Sequence, residues 1–452
     1  MKIPENKPPL PEGFIEEIRD IPGIDHEMLF AALDGNPSVG VRTNSRKDCG
    51  DLFAGAAPVP WCRSGFYLDQ RPKFTLMPEL HAGGFYVQDP SSMILRTITE
   101  MICGGKPSVV IDFCASPGGK TTAAIDALPD GSVVIANEFE PSRVGALKEN
   151  ITKWGYPGVA VTNAPTSAFR SLSERADIAI VDAPCSGEGM MRKDPDARKQ
   201  WSPALVEHCA RLQRDILADA AETVRPGGYL VYSTCTFNTA ENEKMLDFIG
   251  DELGMESFDT GIAEAFGISS GFSARPSLRF MPHITRGEGL FAGVFRKPGS
   301  SPLTVSERLT RPGKRNLAEG HHLLDRPEGY EFSTIGNKSF AVPGKLANLL
   351  SMLPKKTRIS CSGVELGETK GKDFIPSPSL ALSCALKRGV FPEVSLSRKE
   401  ALAFLRREVI TLPSSTEKGF CLICYGGLPL GWVKNIGNRA NNLFPQAWRI
   451  RC

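Results

Sequence analysis

The feature that most constrains this chain is a set of short apolar runs, each closed by a polar motif. Val109-Val-Ile-Asp112, Ala176-Asp-Ile-Ala-Ile-Val-Asp182 and Tyr229-Leu-Val-Tyr-Ser233 read as buried strands. A helical pattern separates the last two. After Ser202-Pro203, residues Leu205, Cys209, Leu212, Ile216 and Ala220 fall on one face, and Arg225-Pro-Gly-Gly228 ends that helix and launches the next strand. Strand–helix alternation from about Gln88 to Lys297 specifies a doubly wound α/β domain, with Gly289-Leu-Phe-Ala-Gly-Val-Phe295 as a late antiparallel strand closing its sheet. Ligands of such a sheet bind outside the carboxyl ends of its strands. Whatever follows the apolar runs therefore meets in one cleft.

The first run leads into Phe113-Cys-Ala-Ser-Pro-Gly-Gly-Lys120, a glycine turn opening a helix, where backbone can approach a nucleotide-like ligand. The second leads into Asp182-Ala-Pro-Cys185-Ser-Gly187, the third into Ser233-Thr-Cys235-Thr236. Two thiols and a carboxylate beside a nucleoside-cofactor site point to methyl transfer onto a pyrimidine carbon. Carbon 5 of cytosine is a poor nucleophile. A thiolate adding to carbon 6 makes it enamine-like, and an acid near ring nitrogen 3 stabilises the charge that forms. A second group must help remove the carbon 5 proton. Asp182, Cys185 and Cys235 match these needs, and spacing does not decide which thiol attacks. An isolated cysteine is more often a small buried residue; two in paired motifs at strand ends argue for chemistry.

Glu138 stands twenty residues after Gly118, at the end of the second predicted strand, a spacing that puts a carboxylate on ribose hydroxyls. Gly119-Lys-Thr121 mimics the end of a phosphate-binding loop, but that motif needs a glycine where Cys114 stands. A loop without phosphate-cradling spacing fits S-adenosyl-L-methionine, which carries no phosphate.

These blocks resemble the Sun-domain family of RNA (cytosine-5) methyltransferases, and within it the branch acting on small-subunit ribosomal RNA. The matching stretches are Tyr86-Val-Gln-Asp-Pro-Ser-Ser-Met93, Asp112-Phe-Cys-Ala-Ser-Pro-Gly-Gly-Lys-Thr121, Asn137-Glu-Phe-Glu-Pro-Ser-Arg143, Asp182–Pro195 and Arg225–Thr236, followed by Pro282-His283 and Gly287-Glu-Gly289. A weaker match, Gly431-Trp-Val-Lys-Asn-Ile-Gly-Asn438, is similar to that branch's terminal RNA-binding module. The resemblance implies a Rossmann-like methyltransferase domain with a small N-terminal module and C-terminal α+β, PUA-like RNA-binding domains. It implies that Cys235 attacks, that Cys185 serves product release, and that Asp182 binds the base edge and touches the cofactor amine. It also implies that Cys114, Ala115, Ser116, Pro117, Gly118, Gly119 and Lys120 line the methionine and ribose end of the cofactor. One departure stands out: after Val159-Ala-Val-Thr162 the family has an aspartate near the adenine amine, and here Asn163 could only accept a weaker, neutral hydrogen bond.

The expected divisions are an N-terminal RNA-binding module over 1–87, the methyltransferase domain over 88–297, a linker over 298–316, a small domain over 317–390 and a PUA-like domain over 391–452. The linker is rich in Pro, Ser, Lys and Arg. Arg192 and Lys193 are expected phosphate contacts beside the target base, and His283 a contact at the rim. Lys355-Lys-Thr-Arg358, together with Trp432, Lys434, Asn435, Asn438 and Arg439 around glycine turns, is expected to hold RNA. Cys421-Leu-Ile-Cys424 lacks a second pair or nearby histidines, so strand core is expected and no metal. A net charge of +2 excludes a histone-like polycation and leaves structured RNA open. Twelve irregularly spaced cysteines, no signal-like N-terminus and no apolar run near the roughly 18 residues of a membrane span lead to an expected monomer in the reducing cytoplasm. Two rivals remain: a transfer-RNA cytosine-5 methyltransferase, and a non-catalytic RNA-binding ribosome assembly factor.

Overall fold

The computed structural model describes residues 7–300 and 320–451; most of the expected linker, and the first six residues, lie outside them. Nine strands build the central sheet: β1 (Val109–Asp112), β2 (Val133–Asn137), β3 (Val159–Asn163), β4 (Ala176–Asp182), β5 (Val224–Thr234), β6 (Glu256–Ser257), β7 (Leu278–Phe280), β8 (Leu290–Arg296) and β9 (Arg358–Ser362). Their order is β6-β8-β5-β4-β1-β2-β3-β9, with β7 paired to β8. β1 to β5 are mutually parallel, and β8 runs antiparallel to β5 as expected. Chain order reverses beside β1, which opens a crevice at the carboxyl edge.

The apolar runs form strands because helices cover both faces of the sheet. Every residue of β1 and β2 is buried, and each fully buried Val or Ile contributes about 1.5–3 kcal/mol. The helix over Pro203–Thr223 buries Cys209, Ile216 and Ala220 as the spacing implies, but its inward stripe is shifted at Leu212. Val206, Cys209, Gln213, Ile216, Leu217 and Ala220 are buried, while Leu212 is 37% exposed. Gln213 displaces Leu212 because its amide is needed inside, where it bonds Pro184 O and Glu241.

The N-terminal segment folds as two helices, Glu12–Arg19 and His26–Asp34, and a four-stranded antiparallel sheet of Ala57–Val59, Cys62–Leu68, Val39–Thr43 and Phe85–Val87. Its Arg42 is fully buried and grips the helix over Gly119–Ala127. The guanidinium pairs with Asp126, donates to Thr122 Oγ1 (2.6 Å) and Gln88 Oε1 (2.8 Å), and lies 4.8 Å from the Trp154 ring. Breaking a buried ion pair from one side costs about 3–5 kcal/mol, so this segment is bolted to the helix that opens the glycine turn.

C-terminally, Tyr330–Ile335, Lys338–Pro343, Val364–Lys370 and Asp373–Pro376 make one antiparallel sheet; Glu393–Ser395, Gly419–Tyr425, Leu428–Asn435 and Ala440–Asn442 make a second, mixed sheet in which the first two strands pair in parallel. Between the two halves of the first sheet the chain leaves to lay β9 on β3, so a strand from 317–390 completes the central sheet. Both C-terminal sheets also share one apolar cluster, in which Trp432, Leu422 and Cys424 pack with Leu323, Leu366 and Leu380.

Candidate active site

At the end of β1, Asp112 accepts from Thr121 Oγ1 at 2.6 Å, and burial pushes its pKa up to about 7. The chain then turns through Cys114–Gly118. Gly118 holds a left-handed φ of 109°, and a Cβ there would press on Leu147 at 3.3 Å. Asn137 clamps the turn from β2: its amide donates to Phe113 O and Ala164 O, and its carbonyl accepts from Ala115 N at 2.8 Å. Ser116 and Arg143 exchange hydrogen bonds across the turn at 2.8 and 3.0 Å. The Cys114 thiol is raised well above its ordinary pKa by burial and by Asp112, Asp182 and Glu138, so it lines the turn as a neutral group.

Glu138 is buried at the end of β2. Oε1 accepts from Glu140 N at 2.8 Å, while Oε2 has no hydrogen-bond partner among the described residues and lies 3.6 Å from the Arg143 guanidinium. An orphaned buried carboxylate oxygen is costly, and two ribose hydroxyls would satisfy it. Asn163, at the end of β3, commits its amide N–H groups to Glu138 O (2.7 Å) and Phe139 O (2.8 Å), leaving its oxygen as an acceptor. Phe139 beside it is 66% exposed, an aromatic face open to a ligand. These groups fit an adenosyl moiety.

The thiols meet on the other side of the crevice. Cys185 Sγ lies 3.1 Å from Cys235 Sγ and accepts from Cys235 N at 3.4 Å. The Cys185 hydrogen bond, helped by Lys120 and Lys193, lowers the Cys235 pKa against burial and Asp182; Cys185 is raised correspondingly. Asp182 accepts from Ser233 Oγ at 3.0 Å and pairs with Lys120 Nζ at 2.8 Å. Burial works against the Lys120 ammonium, and Asp182 more than offsets it, raising its pKa. Lys120 therefore turns from the glycine turn toward the thiols and Asp182.

Two buried carboxylates absent from the sequence reading hold both thiol loops. Glu188 accepts from Phe237 N (2.6 Å), Asn238 N (3.0 Å) and Trp201 Nε1 (3.0 Å). Glu241 accepts from Ser186 N (3.0 Å) and Gln213 Nε2 (2.7 Å), with Asn238 Nδ2 between them at 2.9 and 2.8 Å. The signal was present: acid and amide side chains stand directly downstream of both cysteine motifs, Glu188 after the first and Asn238 and Glu241 after the second.

The remaining expectations divide: Cys421 and Cys424 lie in buried strand core as expected, whereas Arg192, Trp432 and Asn435 do not stand open to RNA. Arg192 is buried and spends its guanidinium on Glu288 (2.7 and 2.9 Å), so it is not open to a phosphate. Lys193 is half-buried near Cys235. His283 is half-buried, its pKa lowered by burial, with Nδ1 lacking a partner. Lys434 is ion-paired to Asp373 at 2.5 Å, whereas Arg439 is exposed. Trp432 and Asn435 are not stacking or pairing groups: Trp432 is 1% exposed and donates to Ser377 O at 2.7 Å, and Asn435 bonds Thr416 O and Glu417 O. Cys421 and Cys424 enter different apolar clusters.

A sheet of this order, with the glycine turn and Glu138 at one end of its crevice and a thiol pair at the other, is that of an S-adenosyl-L-methionine-dependent methyltransferase of the Rossmann class. Residues 105–296 match the model of the 16S rRNA methyltransferase RsmB/F family, 10–90 match the N-terminal domain of 16S rRNA methyltransferase RsmF, and 391–450 match the methyltransferase RsmF PUA domain. Ribosomal RNA small subunit methyltransferase F of Erwinia tasmaniensis is 30% identical over 96% of each chain, and that of Escherichia coli 31% over 96% of each. The Shewanella amazonensis protein of that name is 32% identical over 86% of this chain and 85% of its own. This chain belongs to the RsmB/F methyltransferase family. Among solved structures, NSun6 from Pyrococcus horikoshii shares the fold with a TM-score of 0.55 and 22% identity, covering 65% of this chain and 99% of its own. A methyltransferase homolog protein from the same organism gives 0.55 at 24%, over 64% and 95%.

Proposed function

We propose that the protein methylates carbon 5 of a cytosine in small-subunit ribosomal RNA through a covalent adduct on Cys235. The observation that carries the reading is the thiol pair at 3.1 Å at the strand ends beside the Asp182–Lys120 ion pair. Bound S-adenosyl-L-methionine supplies an electrophilic methyl group. Glu138, the Cys114–Gly119 turn, Asn163 and the exposed ring of Phe139 hold it.

Cys235 adds as thiolate to carbon 6, and the Asp182–Lys120 pair stabilises the charge that develops at ring nitrogen 3. The electron-rich carbon 5 takes the methyl group. Solvent water takes the carbon 5 proton, the C–H electrons re-form the carbon 5–carbon 6 double bond, and the carbon 6–sulfur bond breaks to return Cys235 as thiolate. Cys185, in contact with the leaving sulfur, assists that release. The names of the relatives support ribosomal RNA as substrate, and the RsmF PUA match supports an RNA-holding C-terminus.

RNA carrying 5-fluorocytosine should form a stable adduct with the native protein and none with Cys235→Ala, which also loses turnover. An adduct that persists in Cys235→Ala but vanishes in Cys185→Ala would reverse the roles. Bisulfite sequencing with and without the gene should report the lost mark in small-subunit ribosomal RNA; a loss confined to transfer RNA would change the substrate.

A further inference from the structure

We propose that Lys355-Lys-Thr-Arg358 is a phosphate clamp for the RNA flanking the target base, delivered to the cleft by β9. The proposal rests on the reading of the chain as an RNA methyltransferase. β9 runs antiparallel to β3, with Arg358 opposite Asn163. Asn163 is the last residue of β3, at the carboxyl edge where the thiols and the glycine turn also lie. The residues preceding Arg358 therefore rise beyond that edge. They do so in a defined turn, closed by Thr357 N donating to Pro354 O at 2.8 Å.

Lys355, Lys356 and Arg358 are exposed, and among the described residues their side chains enter no ion pair or hydrogen bond. The Thr357 hydroxyl is buried and also lacks a partner. Elsewhere on this face Lys120 is committed to Asp182 and Arg192 to Glu288. Three free cations beside the adenosyl end do not suit the cofactor, which has no phosphate and bears a sulfonium. They suit a polyanion.

Distance selects which part of it. β9 lies four strands from β4, about 19 Å at the usual strand spacing. The Debye length at physiological ionic strength is about 8 Å, so the turn cannot tune the thiols through space. It meets the RNA strand on one side of the target base.

The test uses the full-length Cys235→Ala protein and a single-stranded fragment of small-subunit ribosomal RNA, with affinity measured from 50 to 200 mM salt. Lys355→Ala/Lys356→Ala/Arg358→Ala should bind at least tenfold more weakly at the lowest salt. Its plot of log affinity against log salt should be shallower by about 2, since each phosphate contact contributes about 0.7 for single strands. Lys355→Arg/Lys356→Arg/Arg358→Lys should keep the native slope, and S-adenosyl-L-methionine affinity by calorimetry should be the same in all variants. An unchanged slope, or a loss confined to cofactor binding, overturns the clamp. A native protein that methylates no RNA while the slope still shifts removes the proposed activity and leaves the clamp standing.

Discussion

The crevice at the carboxyl edge of the central sheet and the C-terminal sheet carry similar side chains in opposite states. In the crevice, Glu138 keeps a buried oxygen without a hydrogen-bond partner, and two thiols face each other at 3.1 Å. In the C-terminal sheet, Trp432 and Asn435 are enclosed and hydrogen-bonded, and Lys434 is ion-paired. The difference separates a place prepared for a ligand from one closed on itself. A polar group kept incomplete in the interior costs about 1–3 kcal/mol, and beside the glycine turn a bound ligand would complete it.

The sharpest way to break this comparison is Cys185→Ser. If the thiol pair divides its labour, the variant still bonds to RNA but fails to release it, and a protein–RNA complex accumulates on denaturing gels. Normal release of methylated product would leave Cys185 a mere neighbour. Next in size, Trp432→Ala should destabilise the C-terminal sheets by about 3–5 kcal/mol, as for large buried aromatics, while cofactor affinity stays native. Loss of RNA binding without loss of thermal stability would return Trp432 to the role its sequence context implies. Smallest, Glu138→Ala should weaken S-adenosyl-L-methionine by about 1.5–3 kcal/mol, the range for bonds to a charged group, and leave cofactor-free RNA binding unmoved. Unaltered calorimetry would mean that the orphan oxygen serves no ligand.

The crevice was legible in the sequence because strand ends fix where a motif goes. Asp182, Cys185 and Cys235 follow buried runs, and a parallel sheet leaves them one edge to occupy. Surface roles were less legible because the same side chain serves core and groove. Arg192 follows the Cys185 motif, yet its partner Glu288 is 96 residues away in the chain. Trp432 lies among glycine turns and polar residues, yet contact with Ser377 and Phe391 buries it. Glu188 and Glu241 were missed for the converse reason: charge reads as exposure until the loops that need its oxygens are folded around it. β9 depends on a pairing between distant segments that no local pattern announces.

That pairing has a consequence in time. β3 is complete at Asn163, but the strand that covers its edge begins only at Arg358. At synthesis rates of about 5–20 residues per second, roughly 200 residues take about 10–40 seconds to emerge. Throughout that interval the nascent central sheet carries an open row of backbone donors and acceptors along β3, the kind of edge on which chains aggregate. The outermost strand is thus also the latest safeguard, and a chain halted between the two would be most exposed just when its catalytic crevice was already built.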